Sequence, residues 1–228
     1  MPAAPFDGHQ IKLVVFDVDG TLYSQQTLRL RLAPELAGQL LSRRGRKSLK
    51  IVANYRRLRE QFAEREVENF ETTLRAGTCA ATQCSAEDVQ QIIGEWIHRR
   101  PLRHLKTCVF SGIPELFVAL RSAGKTVAIY SDYAAQERLA AMGLSADHIV
   151  SAHDPDIAML KPNPKGLLQL MAKAGVQPHE TLLIGDRAER DGEAARRAGA
   201  HALIRSQSRI EGFQTFRDYK DPIFASLI

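Results

Sequence analysis

Two carboxylates stand two residues apart in the run DVDGTL, Asp17 to Leu22, directly after an apolar stretch. Acids at the end of a buried strand suit catalysis better than a merely polar turn. An extended chain through Asp19 puts both side chains on one side, and Gly20 permits a turn that bulky residues resist. A calcium loop also begins Asp-x-Asp, but it needs Gly at its sixth position, which is Leu22, and a helix ahead of it. Three further signals repeat the arrangement. Ser131 follows the apolar VAIY. Lys161 opens KPNPKG, where Pro162 and Pro164 restrict the backbone and hold the cation in a loop. Asp186 follows LLIG, with Asp191 five residues on. Taken singly these are a turn residue, a solvated charge and a helix cap. Together, two acids, a hydroxyl, a cation and a second acid pair at the ends of successive apolar runs describe a site.

Such residues need a frame that brings those ends together. The run Ile11 to Phe16 is β-branched and apolar without alternation, which predicts a strand buried on both faces of a parallel sheet. Thr126 to Tyr130, Thr181 to Ile184 and His201 to Ile204 are further predicted strands. Helical spacing separates them at Ile113 to Ser122, Ala134 to Ala141, Pro164 to Ala174 and Ala194 to Ala198. This alternation predicts a doubly wound α/β fold with right-handed crossovers, whose ligand edge is the carboxyl end of the strands.

From about Ser24 to Lys106 the rhythm becomes helical, without a convincing buried strand. Ile51, Tyr55, Leu58 and Phe62 form one apolar stripe, leaving Arg56, Arg57, Arg59 and Glu60 on other faces. Val89, Ile92, Ile93, Trp96 and Ile97 form a second, and Ser85 with Asp88 has the spacing of a capping box at its start. Residues 23–105 therefore read as an inserted helical domain and residues 1–22 with 106–228 as the α/β core.

In these motifs and their order the chain resembles the haloacid dehalogenase superfamily, specifically its phosphatase-like members. DVDGTL is similar to the first motif, Ser131 to the second, Lys161 in KPNP to the third, and GDRAERDG, Gly185 to Gly192, to the fourth. The family's helical C1-type cap falls where the insert lies. The resemblance implies a Rossmann-like core and an Mg²⁺-dependent phosphatase. Asp17 is then the nucleophile that forms an aspartyl-phosphate, and Asp19 the general acid and base. Dehalogenases lack this second aspartate, so its presence favours phosphate esters. Asp17, Asp186 and the Asp19 backbone carbonyl would hold Mg²⁺, with Asp191 orienting a ligand or water. Lys161 would stabilise the transferring phosphoryl group, and Ser131 would hydrogen-bond a phosphate oxygen. Two positions depart from the common pattern: Asp132 stands where many members have Asn, and Arg187 where a small hydroxyl residue is frequent. Neither receives a catalytic role.

Composition bounds the alternatives. The 228 residues are 44% hydrophobic and 25% charged, as expected of an ordinary globular protein. No run approaches the roughly 18 to 20 apolar residues of a membrane span. The segment MPAAPFDGHQ lacks the basic and apolar parts of a secretory signal, so the expected location is cytoplasmic. Cys79, Cys84 and Cys108 have no metal-site spacing and read as idle thiols. The net charge of +5 is uneven: Tyr23 to Arg103 carries 15 Lys and Arg against 9 Asp and Glu. Arg43, Arg44, Arg46, Lys47 and Lys50 are either a solvated helix face or selectors of substrates with extra anionic groups. No aromatic residues interleave this run as base-stacking would require, which argues against nucleic acid as a partner. The expected substrate is a small phosphorylated metabolite such as phosphoglycolate or a sugar phosphate. A phosphomutase of the β-phosphoglucomutase type, and a non-catalytic protein that binds through the basic insert, are the competing readings. Oligomeric state has no signature in the sequence.

Overall fold

The computed structural model of the chain describes residues 6–228. Met1 to Pro5, which open both the segment read for a secretory signal and the range assigned to the core, lie outside the described residues.

The first apolar run forms β1, Leu13–Phe16, and all four of its residues are fully buried. Each such side chain contributes about 1.5–3 kcal/mol relative to exposure. The later strands are β2 (Thr126–Ser131), β3 (His148–Ser151), β4 (Thr181–Gly185), β5 (His201–Arg205) and β6 (Gln214–Phe216). They form one sheet in the order β3-β2-β1-β4-β5-β6, and every pairing is parallel. Val14 and Phe16 face one layer of helices and Leu13 and Val15 the other, which is why the run is apolar without alternation.

On the first face α6 (Ile113–Ser122) and α7 (Gln136–Met142) cover the sheet, with Phe16 and Phe117 ring centroids 4.8 Å apart. On the second lie α8 (Lys165–Ala174) and α9 (Glu193–Ala198). Sequence patterning misses β3 and β6. Both are edge strands of four and three residues, too short for an unambiguous apolar signature.

Between β1 and β2 the chain forms α1 (Gln25–Leu40), α2 (Arg43–Glu64), α3 (Phe70–Thr82), α4 (Ala86–Ile93) and α5 (Arg100–Leu105). A π-helical turn, Gly94–Arg99, joins the last two. The Ser85 hydroxyl accepts the Asp88 N–H, capping α4 at the expected residue. Both apolar stripes meet in one cluster that also takes in Ala152 and Leu160 from beside the sheet. One expectation for α2 fails. Arg59 lies on the buried face, 4% exposed, because it follows Ile51 and Tyr55 at i+8 and i+4.

Candidate active site

The strand order reverses beside β1, so the loops after β1, β2 and β4 converge at the carboxyl edge of the sheet. Asp17 directly follows β1 and is buried. Its Oδ1 accepts from Lys161 Nζ at 2.6 Å and its Oδ2 from the Thr21 hydroxyl at 2.9 Å. Lys161, 2% exposed, also donates to Asp191 Oδ1 at 2.5 Å and to the Tyr130 carbonyl at 3.3 Å. Burial alone would lower the lysine pKa, but the Asp17 and Asp191 carboxylates outweigh it and hold the ammonium charged. Burial pushes Asp17 in the other sense, upward, against the pull of Lys161 and with help from Asp191, Asp186 and Asp19.

Carboxylate oxygens of Asp17, Asp186 and Asp191 lie within 4.8 Å of one another. Burial, then the charge of Asp191, pushes Asp186 up to about 7. One ammonium does not neutralise three such acids. Their all-oxygen donor set and unmet negative charge fit a hard divalent cation. Two glycines let the acids approach. A Cβ on Gly20, whose φ is +98°, would lie 2.0 Å from Asp186 Oδ2, and one on Gly185 would lie 2.3 Å from Asp191 Cβ. Gly20→Ala is therefore expected to destabilise the fold by about 1–3 kcal/mol through backbone strain alone. Urea unfolding reads this, and unchanged stability would contradict the steric account.

Asp19 sits across the site. The Tyr23 hydroxyl and the buried Arg138 guanidinium both donate to its Oδ1, so Oδ2 stays clear of these bonds. Its backbone carbonyl accepts Gln25 Nε2 at 2.7 Å, which uses one of two lone pairs. The Asp19 carboxylate is not in the three-acid cluster, whereas Asp191 is. Ser131 is fully buried, and its hydroxyl oxygen accepts the Tyr133 N–H at 3.2 Å. Asp132 anchors the lysine loop, because its Oδ1 accepts the Lys161 N–H at 2.9 Å. Arg187 pairs with Glu60 of α2 through two bonds of 3.1 and 3.0 Å, while its backbone N–H donates to Asp191 Oδ2. Arg190 donates to the Lys161 carbonyl at 2.6 Å and to Glu60 Oε2 at 2.7 Å. Glu60 thus ties the helical layer to the loop that carries the acids.

Above the acids opens a cavity of about 490 Å³, lined by Asp17, Asp19, Lys161, Asp186 and Asp191 below and by residues of α1 and α2 above. Arg43, Arg44, Arg46, Lys47 and Lys50 are all exposed and none lines it. Lys47 pairs instead with Asp88 at 2.6 Å. The cations that α1 and α2 bring to the cavity are Arg29, Arg56 and Arg59. Sequence reasoning gave no role to Arg138 or Tyr23. Arg138 had a signal, since it precedes Met142 by four residues and shares its apolar face. Cys79, Cys84 and Cys108 are free thiols. Among the described residues no helix is long and apolar enough to cross a membrane.

A doubly wound parallel sheet with acids clustered beside its strand-order reversal defines a Rossmann-like α/β core with its site at the ligand edge. A family model described as haloacid dehalogenase-like hydrolase matches residues 11–199, and the chain belongs to that family. It is 26% identical over 223 residues to a glyceraldehyde 3-phosphate phosphatase of Methanopyrus kandleri, covering 94% of this chain and 92% of the relative. It is 32% identical over 128 residues to a phosphoglycolate phosphatase of Nitrosospira multiformis, covering 54% and 56%. Among solved structures, the magnesium-bound HAD-hydrolase YfnB of Bacillus subtilis matches with a TM-score of 0.70 at 16% identity, over 96% of this chain and 99% of that one. A 2-haloacid dehalogenase of Pseudomonas syringae matches at 0.65 and 19% identity, over 95% and 98%. These structural likenesses speak to the fold.

Proposed function

We propose that this hydrolase is an Mg²⁺-dependent phosphatase that cleaves small phosphate esters through an aspartyl-phosphate on Asp17. The observation that carries the reading is the Asp17 carboxylate itself, held at a strand end by Lys161 and Thr21 and facing a cavity with Asp19 on its other side. The names of the two phosphatase relatives support it. An Asp17 oxygen attacks phosphorus as the bond to the ester oxygen breaks. Asp19 Oδ2 gives its proton to the leaving oxygen, while Tyr23 and Arg138 keep the group oriented through Oδ1. Asp19, now ionised, takes a proton from water as the water attacks phosphorus, which releases inorganic phosphate and restores Asp17. Lys161 offsets the charge of the transferring group, and Ser131 has a hydroxyl hydrogen to offer a phosphate oxygen. Asp17, Asp186 and the free lone pair of the Asp19 carbonyl would hold the cation, with Asp191 steadying it. When bound, Mg²⁺ supplies the positive charge that lets a phosphate approach an anionic carboxylate. Residues 23–105 act as a cap over a core of residues 1–22 and 106–228.

Purified protein should release inorganic phosphate from an aryl phosphate, rather than return it to a sugar as a mutase would. Chelation should cut this by on the order of 10²-fold or more, with recovery on adding Mg²⁺. Chelator-insensitive turnover would overturn the metal requirement. A second readout needs no turnover. Burial and then Asp191 push Asp186 up to about 7, so toward pH 5.5 a cation must displace more of its proton, whereas toward pH 8 the carboxylate is more fully ionised and repelled by Asp191. The rise in melting temperature produced by Mg²⁺ should therefore be larger at pH 8 than at pH 5.5.

A further inference from the structure

The buried cations Lys161, Arg138 and Arg190 each meet a carboxylate: Lys161 meets Asp17 and Asp191, Arg138 meets Asp19, and Arg190 meets Glu60. Arg59 does not fit this pattern. It is 4% exposed, its Nη2 donates to the Asp132 carbonyl, and its guanidinium lies 4.0 Å from the Tyr133 ring centroid and 5.1 Å from that of Phe70. Its Nη1 is buried without a hydrogen-bond partner, although the side chain lines the cavity above Asp17. Leaving a charged donor unpaired in the interior forfeits more than an ordinary hydrogen bond contributes. Stacking on Tyr133 fixes the guanidinium plane, which keeps the spare N–H edge aimed in one direction. Asp132 links this position to the catalytic one, since its carbonyl holds Arg59 while its carboxylate holds the Lys161 backbone. Glu60, the acid among the α2 residues lining the cavity, is occupied by Arg187 and Arg190. The exposed Arg29 and Arg56 add positive potential to the same walls.

We propose that Arg59 receives a second oxyanion of the substrate. The preferred esters then carry a carboxylate or a further phosphate besides the group that reacts at Asp17. This deepens the phosphatase reading and rests on it for the identity of the reacting group. Arg59 acts as a specificity residue, because it gathers a part of the substrate that does not change during the reaction.

The test compares wild-type kcat/KM on matched pairs. In one, 2-phosphoglycolate is set against glycolaldehyde phosphate, and in the other propanediol bisphosphate against propyl phosphate. A charge-assisted contact predicts a preference of about 10- to 100-fold for the second oxyanion in at least one pair. The pair that shows it identifies which oxyanion fits. Arg59→Met should bring that ratio close to one, and Arg59→Lys, which keeps the charge without the fork, should retain part of it. Parity in both wild-type pairs overturns the proposal without relying on any variant's folding. An unchanged ratio in folded Arg59→Met overturns it as well. Calorimetry on Asp17→Asn with the same four compounds separates the two readings. If no ester is hydrolysed, the phosphatase reading fails, while tighter binding of the doubly anionic ligands that Arg59→Met removes still upholds the anion site.

Discussion

Replacing Asp17 by Asn should lower phosphate release by on the order of 10⁴-fold or more, the size of loss seen when a covalent nucleophile is removed. The amide has nearly the same shape: its single carbonyl oxygen can face Lys161, and its NH2 then donates to the Thr21 hydroxyl oxygen, which reverses that bond. What disappears is the ionised oxygen able to attack phosphorus. Stability should change little by comparison. The substitution weakens an ion pair with Lys161 but relieves repulsion from Asp191, Asp186 and Asp19, the same repulsion that helps burial raise the Asp17 pKa. A melting curve close to wild type together with absent turnover separates a chemical role from a structural one. Mass spectrometry of acid-quenched wild-type reactions should place a phosphoryl group on the peptide containing Asp17. Wild-type turnover in the folded Asn variant would remove Asp17 from the mechanism.

The second large effect is expected at Lys161. Lys161→Met keeps much of the volume but strands two buried carboxylates, Asp17 and Asp191, that the ammonium now meets at 2.6 and 2.5 Å. Breaking a buried pair in this way costs about 3–5 kcal/mol of stability. Activity should fall by about 10²- to 10³-fold, as when one preorganised donor to a developing charge is removed. The two losses have different pH signatures. Without the lysine Asp17, already pushed upward by burial, takes up a proton more readily, and a neutral carboxyl no longer repels its neighbours. The stability gap between variant and wild type should therefore narrow as the pH falls from about 8 toward about 5, whereas the activity defect should persist. Urea unfolding across that range measures the gap. A constant gap, or none, would mean that Lys161 does not neutralise these acids.

Much of the candidate site's edge was legible because it is written locally. A strand buried on both faces must be apolar throughout, and the polar residue after it must emerge at the sheet edge. Asp17, Ser131 and Asp186 could thus be placed from the runs Ile11 to Phe16, Thr126 to Tyr130 and Thr181 to Ile184. Lys161 was legible for another reason, as a lone cation in a loop stiffened by Pro162 and Pro164. The edge strands β3 and β6 were not, because three or four residues carry too little pattern to separate strand from loop. Arg138 and Arg59 were harder still. Each sits on the apolar face of its helix, where a charge reads as a break in the stripe until its partner is seen.

The positive excess between Tyr23 and Arg103 marks the same boundary. Its existence, and the helical character of that segment, follow from the order of residues alone. Which of those cations line the cavity does not. The dense run from Arg43 to Lys50 stays in solvent, while Arg59, at the other end of α2, is rotated inward with Ile51 and Tyr55. By itself the sequence determined the four inner strands, the order of their motifs and the acids at their ends, since these depend on burial and spacing along one stretch of chain. Tertiary structure alone decided that Lys161 bridges Asp17 and Asp191, that Glu60 clasps Arg187 and Arg190, and that Arg59 lines the cavity. Those contacts arise between distant segments, and the rotation of each helix is set by the surfaces it packs against.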